Sequence, residues 1–412
     1  MLIEFSVANF RSFRERQTLS MVAAPKLRKG RNAFKAPLSG EKFPDLLKVC
    51  AVYGPNAAGK SNLLLALSTL GLMADLSPSA QAAALPVAPF ALDPALALAP
   101  SSFDVHFIQD GLRYQFELAA TRSRIVHERL VAFPQGNETL LYERHSAKET
   151  EDYTFGPELE GGEALHQTWR KLTPPTLLFL SQAVANSSVD LTQLRRPFTW
   201  LSRSVDVLMR GMSRYSRIAQ ELVADGGSTH AASIAAFLRD VDVPVSAFKA
   251  ESVDPTPFPL NLLAHESSSI QVKTTLTHRT ALGEAELSFD DQSEGTKNLI
   301  GFFVPWSLKG YGDRSVLAVD ELDSSLHPKI VAALIDKHLD GGHPTQLIFT
   351  THDTHLMDTK LLRRDQIWIV ERDANGATQL RSLHDFEGRE SEDVEKRYYE
   401  GRYRGLPLLK GG

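Results

Sequence analysis

Cysteine is nearly absent: Cys50 is the only one in 412 residues, which excludes an internal disulfide and a cysteine-ligated zinc cluster. No run of about 18 uninterrupted apolar residues exists to cross a bilayer. The most apolar region, residues 80–100, is broken by Pro86, Pro89, Asp93 and Pro94. A charged-then-apolar leader is missing as well, so a soluble, cytoplasmic chain with no membrane contact is expected. Positive charge is not in excess. Lys and Arg total 45 against 50 Asp and Glu, a net charge of −5, so any nucleic-acid contact has to be a local patch rather than a basic coat. No sustained heptad repeat is present, which excludes a long coiled-coil arm. The 42% hydrophobic content still permits a large core, and the length allows two or three domains.

Two segments far apart in the chain carry the chemistry. Gly54-Pro55-Asn56-Ala57-Ala58-Gly59-Lys60-Ser61 fits G-x-x-x-x-G-K-[ST] and lies between the apolar run Val49-Cys50-Ala51-Val52-Tyr53 and a helix-forming stretch, residues 62–67. The glycines permit a tight turn in which backbone N–H groups of Asn56, Ala57, Ala58, Gly59, Lys60, Ser61 and Asn62 converge on phosphate oxygens, aided by the positive end of the helix dipole. Lys60 is then placed to bridge β- and γ-phosphates and the Ser61 hydroxyl to ligate Mg²⁺. ATP with Mg²⁺ is the expected ligand pair. An ordinary Gly-rich turn is the plain alternative, opposed by the flanking strand and helix. Cys50, inside that strand, is expected to be a buried, inert thiol.

The second segment, Val316-Leu317-Ala318-Val319-Asp320-Glu321, is an apolar run ending in two acids. Such a run fits a buried parallel strand delivering carboxylates to a ligand crevice. Asp320 is expected to hold Mg²⁺ through water, and Glu321 to polarise the attacking water as general base. Alone, a strand ending in Asp-Glu fits a solvated strand end equally well. Its neighbours argue otherwise: Leu322-Asp323-Ser324-Ser325-Leu326-His327-Pro328 follow at once, and a later apolar strand, Gln346-Leu347-Ile348-Phe349, is closed by Thr350-Thr351-His352-Asp353.

In this order the motifs resemble the ABC-type ATPase heads of the RecF and SMC kind, whose acid pair is followed by a D-loop and then by a strand ending in a switch histidine. Gln292-Ser293-Glu294-Gly295-Thr296-Lys297-Asn298-Leu299 sits where those heads carry their signature motif, and Asn9-Phe10-Arg11-Ser12-Phe13 resembles the turn after their first strand. The resemblance is strong over residues 1–72 and 285–370 and weak between them. Within this class the chain is similar to stand-alone bacterial AAA or RecF-like ATP-binding proteins, relatives of the overcoming-lysogenization-defect and abortive-infection ATPases. Members of that group often serve anti-phage defence. Glu395-Lys396-Arg397-Tyr398-Tyr399-Glu400-Gly401-Arg402-Tyr403 resembles the group's C-terminus.

The resemblance implies a head-to-tail homodimer, with higher oligomers open, that traps two ATP molecules. In it Ser293 and the N–H of Gly295 act in trans, Asp323 lies across the seam, and His352 contacts the γ-phosphate, so that Lys60, Glu321 and His352 carry catalysis. Two features depart from the pattern. The signature reads Ser-Glu-Gly, so the Glu294 carboxylate has to point away from the phosphate or bind something else. The glutamine that links γ-phosphate to the moving lobe is hard to place, with Gln182 as the candidate.

Residues 1–75 and 270–412 are expected to form a composite α/β nucleotide-binding core, 76–180 a linker and antiparallel β lobe, and 181–269 a mainly helical insertion. Alternation over residues 103–144, punctuated by Asp110-Gly111 and Gly136-Asn137, predicts the β meander. In the insertion, Leu201, Val205, Leu208, Met212, Tyr215, Ala219 and Leu222 recur at helical steps. Arg203, Arg210, Arg214 and Arg217 would then share the opposite face, which fits nucleic-acid phosphate or an acidic partner as evenly as a solvated face. Cations and aromatics interleave in residues 396–404, consistent with base stacking or with a packed tail. His327, His338, His343, His352 and His355 crowd one region without a metal-ligand spacing, and a Toprim-type nuclease domain downstream is not expected.

The sequence thus predicts an α/β P-loop NTPase, an ABC-ATPase head of RecF/SMC type, working as an ATP-driven dimeric switch. The resemblance adds a defence role with a separate effector protein. A RecF-like DNA-repair clamp, a non-hydrolysing ATP-binding scaffold and a transporter head are the alternatives.

Overall fold

The computed structural model describes residues 1–27, 30–76, 84–146, 150–209, 212–253, 271–307, 315–341, 345–388 and 392–406. By its contacts the chain divides into two compact units, the first made of Met1–Val207, Gly312–Leu322 and Ile335–Gly412, the second of Leu208–Tyr311 and Asp323–Leu334.

The first unit is built on a six-stranded sheet in the order Val205–Leu208, Val316–Val319, Gln346–Thr350, Val49–Tyr53, Ile367–Arg372, Thr378–Ser382. Val316–Val319, Gln346–Thr350, Val49–Tyr53 and Ile367–Arg372 pair in parallel. Three of these are apolar runs buried on both faces, as a parallel sheet covered on both sides requires. Cys50 lies among them, fully buried, and burial pushes its thiol pKa up, which leaves it unreactive. The register sets Val319 beside Phe349 and Thr350 beside Val52, so the carboxyl ends of three strands, distant in sequence, meet at one edge. From that edge the helix Lys60–Ala74 runs back with Leu63, Leu64, Ala66, Leu67, Leu70 and Met73 buried. Near the C-terminus, Tyr398 and Tyr403 are buried and the Tyr398 hydroxyl donates to Gly405 O at 2.7 Å, so two of the three interleaved tyrosines pack inward as a closing tail.

In the second unit the helices Ser213–Ala224, Ser228–Asp240 and Glu294–Ser307 accompany the antiparallel strands Val245–Val253, Gln271–Thr280 and Gly283–Ser288. The single helix expected from Leu201 to Leu222 does not form. One helix, Arg195–Arg203, ends before the strand Val205–Leu208, and another begins at Ser213. Val205 and Val207 are β-branched, and edge pairing beside Val316–Val319 outweighs the helical spacing. Ser204 O accepts from Ser315 N at 2.9 Å and Val316 N at 3.0 Å, which pins the crossing. Of the apolar stripe, Leu201, Leu208, Met212, Tyr215 and Ala219 are buried and Val205 and Leu222 only partly so, but they lie on three different elements rather than on one helix. The arginines therefore do not share one helical face: Arg203 closes the first helix, Arg214 and Arg217 lie exposed on the second, Arg217 pairs with Glu221 at 3.7 Å, and Arg210 lies outside the described residues.

The β lobe is a seven-stranded antiparallel sheet, in the order Glu151–Phe155, Thr139–Ser146, Ile125–Ala132, Leu112–Ala120, Ser101–Gln109, Leu2–Ala8, Gln17–Ser20, matching the predicted meander. Glu128, fully buried, accepts from Phe179 N at 2.8 Å, Leu180 N at 3.0 Å and Tyr142 Oη at 2.7 Å, with Arg144, also fully buried, at 3.7 Å. Burial pushes its carboxyl pKa up, while Arg144 and these donors favour the ionised form. The backbone donors open the helix Phe179–Ala185, and Ser181 Oγ of that helix donates to Ala74 O, the end of the phosphate-loop helix, at 2.7 Å. This cluster is thus connected to the element that aims the loop. Glu128→Leu should cost about 3–5 kcal/mol, because the N–H groups of Phe179 and Leu180 and the Tyr142 hydroxyl lose their acceptor and Arg144 keeps only Glu151 as a carboxylate partner, whereas Glu128→Gln, which keeps an acceptor oxygen, should cost less; urea unfolding of the two variants and the parent reads the difference.

Candidate functional site

The phosphate loop leaves the central strand Val49–Tyr53 and ends at Gly59, whose φ of 111° lies in the left-handed region. A side chain there would be strained, and its Cβ would fall 2.1 Å from Thr378 Oγ1. Thr378 N donates to Ser12 O at 2.7 Å, and Thr378 Oγ1 lies 2.8 Å from Ala58 O and 2.7 Å from Ser12 Oγ. Asn62 Nδ2 donates to Ser12 Oγ at 2.8 Å. The Asn9-to-Phe13 turn and the strand Thr378–Ser382 therefore support the loop from beneath. Asn56 and Ala57 are exposed on it and Ala58 is buried. Lys60 is 6% exposed, and its Nζ donates to Gly54 O at 2.8 Å and Pro55 O at 3.2 Å, so the ammonium is held against the loop.

Asp320 joins the two halves of the site. Its Oδ1 accepts from Ser61 Oγ at 3.0 Å and from Thr350 Oγ1 at 2.7 Å. Thr350 Oγ1 in turn accepts from Glu321 N at 2.8 Å. Glu321 has φ 51°, a left-handed conformation costing a non-glycine residue about 1–3 kcal/mol, and its side chain is exposed. A hydroxyl and a carboxylate oxygen brought together in this way form the hard oxygen donor set that suits Mg²⁺. Thr350 was legible only as part of a strand end, and neither Thr378 nor Ser12 carries a sequence signal for its role, since both act through tertiary contacts.

His352 is exposed and lines a cleft of about 820 Å³ with Gly54, Asn56, Thr351, Tyr399 and Arg404. Beyond it, Asp353 Oδ1 accepts from His355 N at 3.1 Å and is 3.0 Å from His355 Nδ1, and Thr354 Oγ1 donates to Glu395 at 2.8 Å and meets Tyr399 Oη at 2.9 Å. The other histidines of that crowd have local partners. His338 Nε2 lies 3.0 Å from Thr345 O, and His327 Nδ1 accepts from Lys329 N at 3.2 Å; His343 lies outside the described residues. Gln182 is buried at 5% exposure inside its helix and is not among the residues lining the cleft.

Ser293, Gly295 and Asp323 belong to the second unit. Ser293 Oγ accepts from Thr296 N at 3.2 Å and so caps the helix Glu294–Ser307. A Cβ on Gly295 would lie 2.6 Å from Ser325 O, and Asn298 Nδ2 donates to Ser324 O at 3.3 Å. Glycine thus lets the turn that starts at Asp323 approach the helix start closely. Glu294 is 74% exposed and pairs with Lys297 at 3.2 Å, which gives its carboxylate a partner on its own helix.

Over residues 49–358 the sequence matches the family described as "AAA domain, putative AbiEii toxin, Type IV TA system". No curated protein matches it. Among solved structures, the chain is similar to the SMC head domain from Thermotoga maritima, at 15% identity and a TM-score of 0.41, with 92% of this chain and 98% of that one covered. It is also similar to an SMC head bound to the C-winged helix domain of ScpA, at 11% identity and a TM-score of 0.46, with 92% and 97% covered. The family match runs from the phosphate-loop strand to beyond His352 and takes in most of the chain. This α/β P-loop protein belongs to the family "AAA domain, putative AbiEii toxin, Type IV TA system".

Proposed function

We propose that the chain is an ATP-binding and ATP-hydrolysing dimeric switch, loaded with Mg²⁺. The observation that carries this reading is the Asp320 carboxylate, held at once by the Ser61 hydroxyl of the phosphate-loop helix and by Thr350 at the end of the switch strand. In this reading the loop N–H groups and Lys60 bind the triphosphate. Ser61 and Asp320 would hold Mg²⁺, which when bound offsets charge on the phosphate oxygens. Glu321 accepts a proton from the attacking water. Ser293 and Gly295 of a second copy cap the triphosphate, with Asp323 across the seam, and His352 contacts the terminal phosphate. Hydrolysis removes the contacts that hold the two copies together.

We infer a further step from the motif resemblance, in which nucleotide state controls a separately encoded effector in an anti-phage system; the family description, which names a putative toxin of a type IV toxin–antitoxin system, supports only the defence side of that reading. Cytoplasmic placement suits such a role, and among the described residues no helix is long and apolar enough to cross a membrane.

Three measurements test the switch. Lys60→Ala should lose ATP binding, whereas Glu321→Gln should keep it, turn over about 10²- to 10⁴-fold more slowly and accumulate as a dimer with ATP in light scattering; turnover of Glu321→Gln at the parental rate would sink the general-base role. Thr350→Val should keep nucleotide affinity while kcat falls about tenfold, the equivalent of one lost hydrogen bond. Equimolar mixing of inactive Lys60→Ala and Ser293→Arg proteins should restore activity, because a mixed dimer holds one intact composite site; no recovery despite mixed dimers would exclude capping in trans.

A further inference from the structure

Among the described residues, one cluster of metal-ligating groups lies outside the phosphate site, on the β lobe. The strands Ile125–Ala132 and Thr139–Ser146 are antiparallel, and their register sets His127 directly opposite His145, so both side chains leave the same face of the sheet. Glu143, two residues before His145, shares that face because side chains alternate along a strand. His127 Nε2 lies 2.9 Å and His145 Nε2 3.0 Å from the same oxygen, Glu143 Oε1. The two imidazole rings stack at 4.5 Å with an interplanar angle of 21°, and the ligand atoms of all three residues lie within 4.8 Å of one another.

We propose that His127, Glu143 and His145 bind a first-row divalent transition-metal ion of the zinc class. Two imidazole nitrogens and one carboxylate oxygen converge, and that donor set selects Zn²⁺ or its first-row neighbours over Mg²⁺ and Ca²⁺, which take oxygen ligands. The size is right as well. A tetrahedral zinc site with bonds of about 2.0–2.1 Å has edges of about 3.3 Å, so the N–O separations need to open by only a few tenths of an ångström. A water molecule would complete the tetrahedron; Asp152, exposed on the next strand directly opposite His145, is not among the groups whose ligand atoms converge.

Competition from the neighbouring cation is limited. Arg129 is the residue opposite Glu143, but its guanidinium pairs with Glu117 and Glu138, each at 2.7 Å. On the other side His127 faces Ala119, which carries no charge. None of the three ligands lines the cleft beside the phosphate loop. His127 and Glu143 are about one quarter exposed and His145 is 62% exposed, so the ion would sit on a sheet surface rather than in a substrate cavity. Its role is structural. It ties two strands whose register shifts between Leu130 and Val131.

The test is a Co²⁺ titration of the full chain, stripped with a chelator and kept in excess Mg²⁺ to occupy oxygen-only sites. The expected result is one Co²⁺ per chain with the visible bands of a low-coordinate N/O site, displaced by Zn²⁺, and a higher melting temperature with Zn²⁺ than with chelator. His127→Ala, Glu143→Gln and His145→Ala should each weaken binding by about tenfold or more and abolish the Zn²⁺-dependent rise in melting temperature, with ATP binding unchanged. The half-exposed His145 is the decisive position, since its replacement leaves the core intact. Absence of saturable binding overturns the proposal, as does binding that persists in the His127→Ala/His145→Ala double variant or is lost with Ser61→Ala instead.

Discussion

The Asp320 carboxylate, drawn between the hydroxyls of Ser61 and Thr350, depends on three strands ending level with one another. Val316–Val319, Gln346–Thr350 and Val49–Tyr53 lie side by side in parallel, and only this register puts the first polar residues past each apolar run within hydrogen-bond reach. A slip of one residue would turn every side chain of a strand to the other face and part the acid from both hydroxyls. The apolar core of the sheet and the polar site at its edge are therefore specified by the same pairing.

The strain at Glu321 follows from the same arrangement. Successive side chains of a strand point to opposite faces, so two consecutive acids cannot both serve one crevice while the strand continues. The chain resolves this by ending the strand at Val319 and turning at Glu321 with φ 51°. Thr350 stabilises the turn, accepting from Glu321 N while its own hydroxyl proton goes to Asp320. One threonine thus orients the first acid and fixes the backbone of the second, and Glu321 is left exposed at the site with its conformation set by its neighbours rather than by its own preference.

The legible parts of this molecule were those in which local pattern and tertiary role coincide. The phosphate loop needs its glycines and lysine wherever it occurs, the buried parallel strands need continuous apolar runs, and the β lobe needs alternation. All three could be read from the chain. The arginine stripe failed because Val205, Leu208 and Met212 satisfy helical spacing, yet Val205–Leu208 gains more from sheet pairing than from helix, a choice made by a strand about a hundred residues away. Thr378, Ser12 and the trio His127, Glu143 and His145 were hidden for a related reason. Each acquires its partners through strand register or close tertiary approach, and no spacing within a single segment encodes either.

The turn after Gln346–Thr350 connects the site to the C-terminal segment. His352 faces the cleft, and two residues later Thr354 binds both Glu395 and Tyr399 of the helix Val394–Tyr399. Arg404, farther along, reaches Glu371 at the end of the strand beside the phosphate loop, at 3.4 Å. Tyr399 is 62% exposed, so this contact sits at the surface, where a shift of the turn meets little resistance from packing. In the switch reading, a displacement of His352 on loss of the terminal phosphate would strain the Thr354 hydroxyl bonds first, because they join the turn to an element outside the sheet. The short helix is then the part best placed to move with nucleotide state, while the buried strands beneath stay fixed.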